Sequence, residues 1–216
     1  MNKTAIVIGA TGLVGSQLVK QLVEHVHISQ VITLTRRPVP CKNKKVTNHV
    51  VDFDHLAQHA PLFKGDVLFS CLGTTKKTAG SITAQRKVDF DYQFQAAELA
   101  VNMGVTHYLL VSSSGANAHS SNAYLKMKGE LENAVKKLPF KRISIIQPSL
   151  LLGQRDGDFR IGEKIGSVLL PVLSMLPGLK KFKPISGEQV AVKMCNVCTQ
   201  EGVGVEYFTL NELFES

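Results

Sequence analysis

The sequence lacks any apolar run long enough to cross a membrane. Its longest apolar stretch extends from Val168 to Leu176, which is too short to span a bilayer and contains Pro171. No secretory signal peptide, with its positively charged start, apolar centre and small residues at the cleavage site, is visible. The first residues instead lead directly into a core-like segment. We therefore expect no transmembrane segment and a cytoplasmic location.

Cysteine is also scarce, with four among 216 residues. Cys195 and Cys198 form a C-x-x-C pair, but no second pair and no nearby histidine completes a zinc site. The pair falls in an apolar stretch, 190–197, that predicts a helix, where small buried cysteines are common. We predict neither a disulfide framework nor a metal site. Redox sensing through Cys71 or through the C-x-x-C pair remains a weaker alternative.

Long runs of one charge are absent as well. Lysine and arginine number 25 against 17 acidic residues, which gives a net charge of +8, but the basic residues occur as scattered pairs. No nucleic-acid-binding module is recognisable, so nucleic acid is not expected as a partner. A polyanionic cofactor accounts for part of the positive excess, and a solvated surface accounts for the rest.

A glycine-rich junction at the start of the chain is the strongest local signal. Ala5–Ile8 is an apolar run typical of a strand buried on both faces, and an amphipathic run, Val14–Val26, predicts a helix. Between them the G-x-x-G-x-x-G spacing is that of a dinucleotide-binding turn, in which backbone amides at a helix N-terminus face phosphates. We expect cofactor contacts along this turn, at Gly9, Thr11, Gly12, Leu13, Val14 and Gly15.

Strand and helix patterns alternate through the rest of the chain, which predicts an α/β fold with a Rossmann-type doubly wound parallel sheet. The chain is expected to form a single domain with a core at 1–150 and a small substrate-side C-terminal lobe at 151–216. The predicted strands are Ala5–Ile8, Val31–Thr35, Val46–Val51, Val67–Leu72, Tyr108–Ser112, Ile143–Ile146 and Val205–Leu210; the predicted helices are Val14–Val26, Ser81–Met103, Asn122–Leu138, Ile161–Met175 (broken by Pro171) and Gly187–Cys198.

The end of the second strand bears on the type of cofactor. NAD-binding folds place an acidic residue there to accept a hydrogen bond from the ribose 2′-hydroxyl. This chain instead has Arg36 and Arg37, and two guanidinium groups suit a 2′-phosphate. We therefore predict NADP(H) as the cofactor.

Two other strand ends are expected to face the same crevice. Asp52 and Phe53 follow the third strand and are candidates to flank the adenine ring. The fourth strand ends in a glycine-containing turn through which backbone can pass close to the adenine ribose or phosphates, at Cys71, Leu72, Gly73 and Thr74.

The clearest catalytic signal combines the serines Ser112–Ser114 with Tyr124 and Lys128. The tyrosine and the lysine are four residues apart on a predicted helix, so their side chains share a face. A tyrosine is a poor base at neutral pH, and a neighbouring ammonium group favours the phenolate and makes proton transfer practicable. A nearby serine hydroxyl can orient a substrate carbonyl.

Seven segments together carry a family resemblance over most of the chain: Gly9–Gly15, Cys71–Thr75, Val88–Tyr92, Leu110–Ala116, Ser121–Asn122, Tyr124–Glu130 and Gln147–Gly153. The chain resembles the short-chain dehydrogenase/reductase superfamily in its atypical, extended-like branch, and it is especially similar to the Tat-interacting-protein-type oxidoreductases. The resemblance implies a Rossmann core and bound NADPH.

The resemblance also implies roles for individual residues. Tyr124 would be the acid/base, Lys128 would touch the nicotinamide ribose and Tyr124, and Ser113 is favoured among the three serines. Residues 148–151, with Pro148 and Leu150, would pack near the nicotinamide. These roles imply an NADPH-dependent reductase of a small-molecule carbonyl compound.

Two departures from the family pattern affect this interpretation. Asp89 stands where many members have an asparagine in a proton relay, and the C-terminal lobe is short for a nucleotide-sugar epimerase. A regulatory or scaffold protein that binds NADPH with little turnover is the alternative function. It is motivated by the apolar segment 167–179, which suits a protein partner or a membrane surface. Monomer and homodimer both remain open.

Overall fold

The computed structural model describes residues 2–152, 184–209 and 212–213. Its centre is a seven-stranded, all-parallel sheet with the order β3-β2-β1-β4-β5-β6-β9, and a separate pair, β7 with β8, is also parallel. The strands are β1 (Lys3–Ile8), β2 (Ile28–Thr35), β3 (Val46–Val50), β4 (Val67–Ser70), β5 (His107–Val111), β6 (Arg142–Gln147), β7 (Leu151–Leu152), β8 (Ile185–Ser186) and β9 (Gly204–Thr209).

The helices connect these strands on both faces of the sheet, so the predicted doubly wound Rossmann fold is confirmed. A 3-10 segment covers Phe53–Phe63, and a π-helical turn, Lys87–Asp91, lies between two α-helices. The α-helices are α1 (Leu13–Glu24), α2 (Lys76–Ala79), α3 (Ile82–Arg86), α4 (Tyr92–Asn102), α5 (Ala123–Val135) and α6 (Gly187–Thr199).

One predicted helix, Ser81–Met103, differs from the observed structure. Ser81 does begin the segment, since its side chain accepts a hydrogen bond from the Ala84 amide, but the segment is not one regular α-helix. The π turn interrupts it and holds the completely buried Asp89. A π turn inserts a residue into the helical register, and it often occurs at a functional site. Apolar periodicity does not predict such an insertion.

The core is two apolar clusters, one on each face of the sheet. The central strand explains why, because Ala5, Ile6, Val7 and Ile8 are all fully buried and point alternately to the two faces. One cluster joins the sheet to α1 and α6, and the other joins it to the 3-10 segment, α4 and α5. Each fully buried leucine or isoleucine contributes about 1.5–3 kcal/mol of transfer free energy.

The C-terminal residues that the structure describes extend this core. β9 pairs with β6 over six residue pairs, and α6 packs against α1 with Val190, Ala191 and Met194 fully buried. The last strand therefore completes the sheet, and the predicted division into a core at 1–150 and a substrate-side lobe at 151–216 stays a prediction. The predicted helix at 161–175 and the apolar segment at 167–179 lie outside the described residues.

Among the described residues, no helix combines the length and the apolar character that a membrane span requires.

Candidate functional site

The glycine turn after β1 is closely packed against the turn after β4. Gly9 has a φ of 77°, and a Cβ atom at this position would lie 2.4 Å from the backbone carbon of Cys71. A Cβ at Gly15 would lie 2.2 Å from the Gly9 carbonyl oxygen. These positions therefore require glycine, for the turn and for the approach of α1 to the strand.

The N-terminus of α1 opens at this turn. Gly12 is the capping residue, and no side chain caps the helix there. The Gly12 amide donates to the Gly9 carbonyl at 2.9 Å, which closes the turn. A 12-residue helix with an uncapped first turn presents amide groups and a positive dipole end, and this is the environment that a phosphate group requires. The glycine turn and the uncapped first turn of α1 together form a cradle, and its residues fit a dinucleotide pyrophosphate.

The candidate cofactor residues on neighbouring strands have different surroundings. Arg36 and Arg37 directly follow β2, and both are exposed. Asp52 is exposed and caps the 3-10 segment by accepting from the Asp54 amide at 2.9 Å. A hydrogen bond from the His55 side chain, and then the bond from the Asp54 amide, lower the pKa of the Asp52 carboxyl. Phe53 is 3% exposed and its ring packs against Tyr92 at 5.4 Å, so of this pair Asp52 has the accessible side chain.

The turn after β4 contains the residues whose backbone was predicted to lie close to the adenine ribose or phosphates. The strand ends at Ser70 rather than at Leu72, because its last partner in β1 is Ile8. Leu72, Gly73 and Thr74 are half-buried, and the Thr74 amide donates to a carboxylate oxygen of Asp89 at 3.1 Å. The turn is therefore anchored to the π turn by a buried carboxylate.

The three serines after β5 occupy different environments. Ser112 is 3% exposed and donates to Glu132, which also accepts from the Gln147 side chain at 2.9 Å. Ser113 is half-buried and its hydroxyl donates weakly, at 3.4 Å, to the Ser114 carbonyl. Glu132 is a residue that the sequence reasoning missed, although its position four residues after Lys128 places it on the same face of α5.

Residues that follow β6 lie beside the serines. The Ser114 amide donates to the Pro148 carbonyl at 2.9 Å, so the structure brings the serine turn and the segment predicted to line the nicotinamide together. Pro148 is buried, whereas Leu150 is 48% exposed.

Helix α5 carries Tyr124 and Lys128, and the lysine side chain reaches the end of β5. Asn122 begins the helix, since its side chain accepts from the amides of Tyr124 and Leu125 at 3.0 and 3.2 Å. Tyr124 is 36% exposed, while Lys128 is 3% exposed. The Lys128 ammonium donates to the Val111 carbonyl at 3.3 Å and lies 3.4 Å from a carboxylate oxygen of Asp89. The predicted lysine is thus a buried cation at the end of β5.

Gly129 lets the loop before α5 lie directly on the helix. A Cβ at this position would be 2.3 Å from the Ala118 nitrogen. The loop, Glu132 and the ends of β6 and β9 also line an open cavity of about 370 Å³. The wall of this cavity is therefore formed in part by the loop that leads to Tyr124.

Cys71 gives little support to redox chemistry. Cys71, Cys195 and Cys198 are buried, and burial raises the pKa of the Cys71 thiol to about 12, although Lys128 opposes that shift. A thiol with so high a pKa is protonated and unreactive at neutral pH. In the part of the chain that the structure describes, no three His, Cys, Asp or Glu residues converge as metal ligands would.

Comparison with known proteins assigns this chain to an NAD(P)H-binding family. Residues 9–169 match the family described as NAD(P)H-binding. The chain is 41% identical to protein HTATIP2 of Rattus norvegicus over 166 residues, which cover 75% of this chain and 68% of that protein. It is 36% identical to the mitochondrial protein FMP52 of Debaryomyces hansenii over 192 residues, which cover 87% and 84% of the two chains.

Solved structures share the fold at low sequence identity. A short-chain dehydrogenase of Leptospira borgpetersenii with bound NAD+ superposes with a TM-score of 0.72 at 16% identity, over 99% of this chain and 93% of that one. MoeE5 in complex with UDP-glucuronic acid and NAD superposes with a TM-score of 0.73 at 17% identity, over 96% and 76% of the chains.

The relatives also correct the expected location. Several fungal relatives are named mitochondrial, including FMP52 of Debaryomyces hansenii and of Candida albicans. The prediction of a cytoplasmic protein is therefore wrong. It was based on the missing secretory signal and membrane span, and neither feature distinguishes the cytoplasm from the mitochondrion.

Proposed function

The chain belongs to the NAD(P)-binding, atypical short-chain dehydrogenase/reductase family, and on that premise we propose that it is an NADPH-dependent reductase of a small carbonyl compound. The observation that carries the proposal is the position of Lys128. A buried ammonium group on the same helix face as Tyr124, next to the serine turn, is the arrangement that proton transfer by a tyrosine requires.

The residues around the cradle support a dinucleotide. The uncapped first turn of α1 would hold the pyrophosphate, and the glycines at positions 9 and 15 leave the room that it needs. Arg36 and Arg37 are exposed at the end of β2 and can form charge-assisted hydrogen bonds to a 2′-phosphate. NADPH, when bound, supplies a hydride to the carbonyl carbon.

The protein's own residues supply the proton and the orientation. In the proposed mechanism the Ser113 hydroxyl donates a hydrogen bond to the carbonyl oxygen of the substrate and fixes its direction. The Tyr124 hydroxyl gives its proton to that oxygen, so that the carbonyl becomes an alcohol and the tyrosine becomes a phenolate. The ammonium of Lys128 stabilises the phenolate, which then regains a proton from water.

The first arm of the test measures cofactor binding by calorimetry. We expect NADPH to bind at least about tenfold more tightly than NADH, a difference of about 1.4 kcal/mol. Replacing both arginines (Arg36→Gln, Arg37→Gln) should remove that preference and leave NADH binding unchanged. The matched control replaces two exposed lysines of the same region, Lys42→Gln and Lys44→Gln, and should keep the preference. Equal affinities in the wild type would contradict the assignment to NADP.

The second arm measures NADPH oxidation with a panel of aldehydes, ketones and quinones. Tyr124→Phe removes only the hydroxyl, so it should bind NADPH as the wild type does and lose turnover by about 100-fold or more, within the range for general acid catalysis. Lys128→Met should also lose turnover, whereas Lys126→Met, an exposed lysine on the same helix, should not. Tight NADPH binding without turnover on any carbonyl would favour a regulatory or scaffold protein instead.

A further inference from the structure

Asp89 is the most deeply buried charged residue near the candidate site. It is 0% exposed and sits in the π turn between α3 and α4. Its backbone carbonyl accepts from the Gln93 side chain at 2.8 Å, and Gln93 in turn accepts from Ser70 at the end of β4, also at 2.8 Å. The backbone of the π turn at Asp89 is therefore held in a fixed position relative to the sheet.

Two groups converge on this carboxylate, and both are donors. One oxygen, Oδ2, accepts from the Thr74 amide at 3.1 Å. The other, Oδ1, lies 3.4 Å from the Lys128 ammonium, and no residue within the described ranges donates a well-aligned hydrogen bond to it. An isolated buried carboxylate is strongly disfavoured, so the nearby ammonium offsets the cost of burying Asp89.

This arrangement requires a carboxylate rather than an amide. An asparagine has one acceptor oxygen, so its NH2 group would face either the Thr74 amide or the Lys128 ammonium, and two donors would meet. An alanine would lose both contacts.

We propose that Asp89 is a positioning residue that ties the cofactor turn after β4 to the proton-transfer residues on α5. The proposal rests on the proposed function. The Cys71 backbone packs against Gly9, Thr74 follows in the same turn, and the carboxylate joins that turn to Lys128. The glycine turn, the β4 turn and the lysine therefore form one connected unit, in which an ordered cofactor turn and a correctly placed ammonium depend on each other.

The first test measures the interaction between Asp89 and Lys128 from the urea unfolding of the cofactor-free protein. It uses a double-mutant cycle of Asp89→Asn and Lys128→Met. Lys128→Met leaves the carboxylate buried without its counter-charge, with only the Thr74 amide as a donor, so we expect a clear drop in the urea midpoint. Adding Asp89→Asn should then raise that midpoint again, whereas in the wild-type background the same change should lower it. If Asp89→Asn lowers the midpoint equally in both backgrounds, the proposal is overturned. Should either single variant not fold, recovery of folded protein in the double variant supports the pairing, and its absence contradicts it.

The second test measures NADPH affinity and the kinetic split between kcat and KM. Asp89→Ala should weaken NADPH binding by about tenfold and lower kcat by a similar factor, while the KM for the carbonyl substrate stays within about twofold. The control is Asp91→Asn, an exposed acid in the same π turn, which should change neither quantity. If Asp89→Ala binds NADPH as Asp91→Asn does, the positioning role is wrong.

The two tests separate this proposal from the proposed function. If the wild type binds NADPH but reduces no carbonyl, the reductase assignment fails, while the unfolding cycle and the affinity change still report on Asp89.

Discussion

At the scale of single residues, the three consecutive serines show how identical side chains differ in role. Ser112 is committed to Glu132, and that carboxylate also holds Gln147, so the hydroxyl belongs to a buried polar network that joins β5, α5 and β6. Ser113 is half-buried and has only a long contact, 3.4 Å, to its neighbour's carbonyl. The weakly bonded hydroxyl of Ser113 and the structural hydroxyl of Ser112 are therefore adjacent in sequence.

This difference predicts opposite outcomes for two alanine substitutions. Ser112→Ala removes one buried hydrogen bond to the Glu132 carboxylate, whose same oxygen keeps its bond from Gln147, so the free energy of unfolding should fall by about 1–3 kcal/mol. Ser113→Ala should leave stability within about 0.5 kcal/mol of the wild type and lower kcat by about tenfold or more. Urea unfolding and steady-state NADPH oxidation measure the two effects. Unchanged turnover in Ser113→Ala would exclude this serine from the proposed mechanism.

At the scale of elements, the loop that precedes α5 packs directly against that helix. One face carries Lys128 and Glu132 toward the ends of β5 and β6, and the missing side chain of Gly129 admits the loop at Ala118. The helix therefore fixes both the buried lysine and the approach of the loop that leads to Tyr124.

Gly129→Ala tests this contact against helix propensity. Alanine is favoured over glycine in a helix interior by up to about 1 kcal/mol, whereas a Cβ placed 2.3 Å from a backbone nitrogen forces the loop to move. We expect the steric cost to exceed the propensity gain, with a net loss of about 1–2 kcal/mol in urea unfolding. Lys126→Ala, an exposed position on α5, is the control and should remain within about 0.5 kcal/mol. A Gly129→Ala protein more stable than the wild type would show that the loop is not held by this contact.

At the scale of the whole molecule, a buried polar cluster joins the last three strands of the sheet. It lies at the start of β5, at the opposite end of that strand from the serines. His107 contacts Ser144 at 2.8 Å, Ser144 donates to Glu206, and Arg142 donates to the same carboxylate at 2.7 Å. Arg142 also donates to the carbonyls of Val197 and Gln200, at 3.0 and 2.6 Å, so the end of α6 is tied to the sheet edge.

The cluster makes stability depend on pH in a defined direction. Burial, together with the positive charges of Arg142 and Lys3, lowers the pKa of His107 from 6.5 to about 3. Between these values the unfolded chain binds a proton that the folded protein does not, so stability falls as the pH falls through 6.5. From pH 7.5 to pH 5 the loss from this residue should be about 2 kcal/mol.

Urea unfolding at several pH values measures this effect. His107→Gln should have a flatter dependence between pH 7.5 and 5, and His119→Gln, an exposed histidine, should keep the wild-type slope. A His107→Gln protein with an unchanged slope would assign the acid sensitivity to other groups. The carboxyls of Asp52 and Asp54 have lowered pKa values and titrate below this window.

The amino-acid sequence by itself determined the fold class, most of the strands and helices, the glycine turn and the family. Each depends on local information, such as apolar periodicity, a glycine spacing or a tyrosine four residues before a lysine, and a short window of sequence contains it. The sequence also shows that Asp89 departs from the family pattern.

The tertiary structure decided which groups meet. Lys128 and Asp89, Ser112 and Glu132, and β6 and β9 are far apart in the chain, and the sheet order brings each pair together. It also decided that Phe53 belongs to the core and that the last strand completes the sheet. Burial and the pairing of charges depend on the topology of the fold. The topology therefore produces the buried ion pair between Lys128 and Asp89.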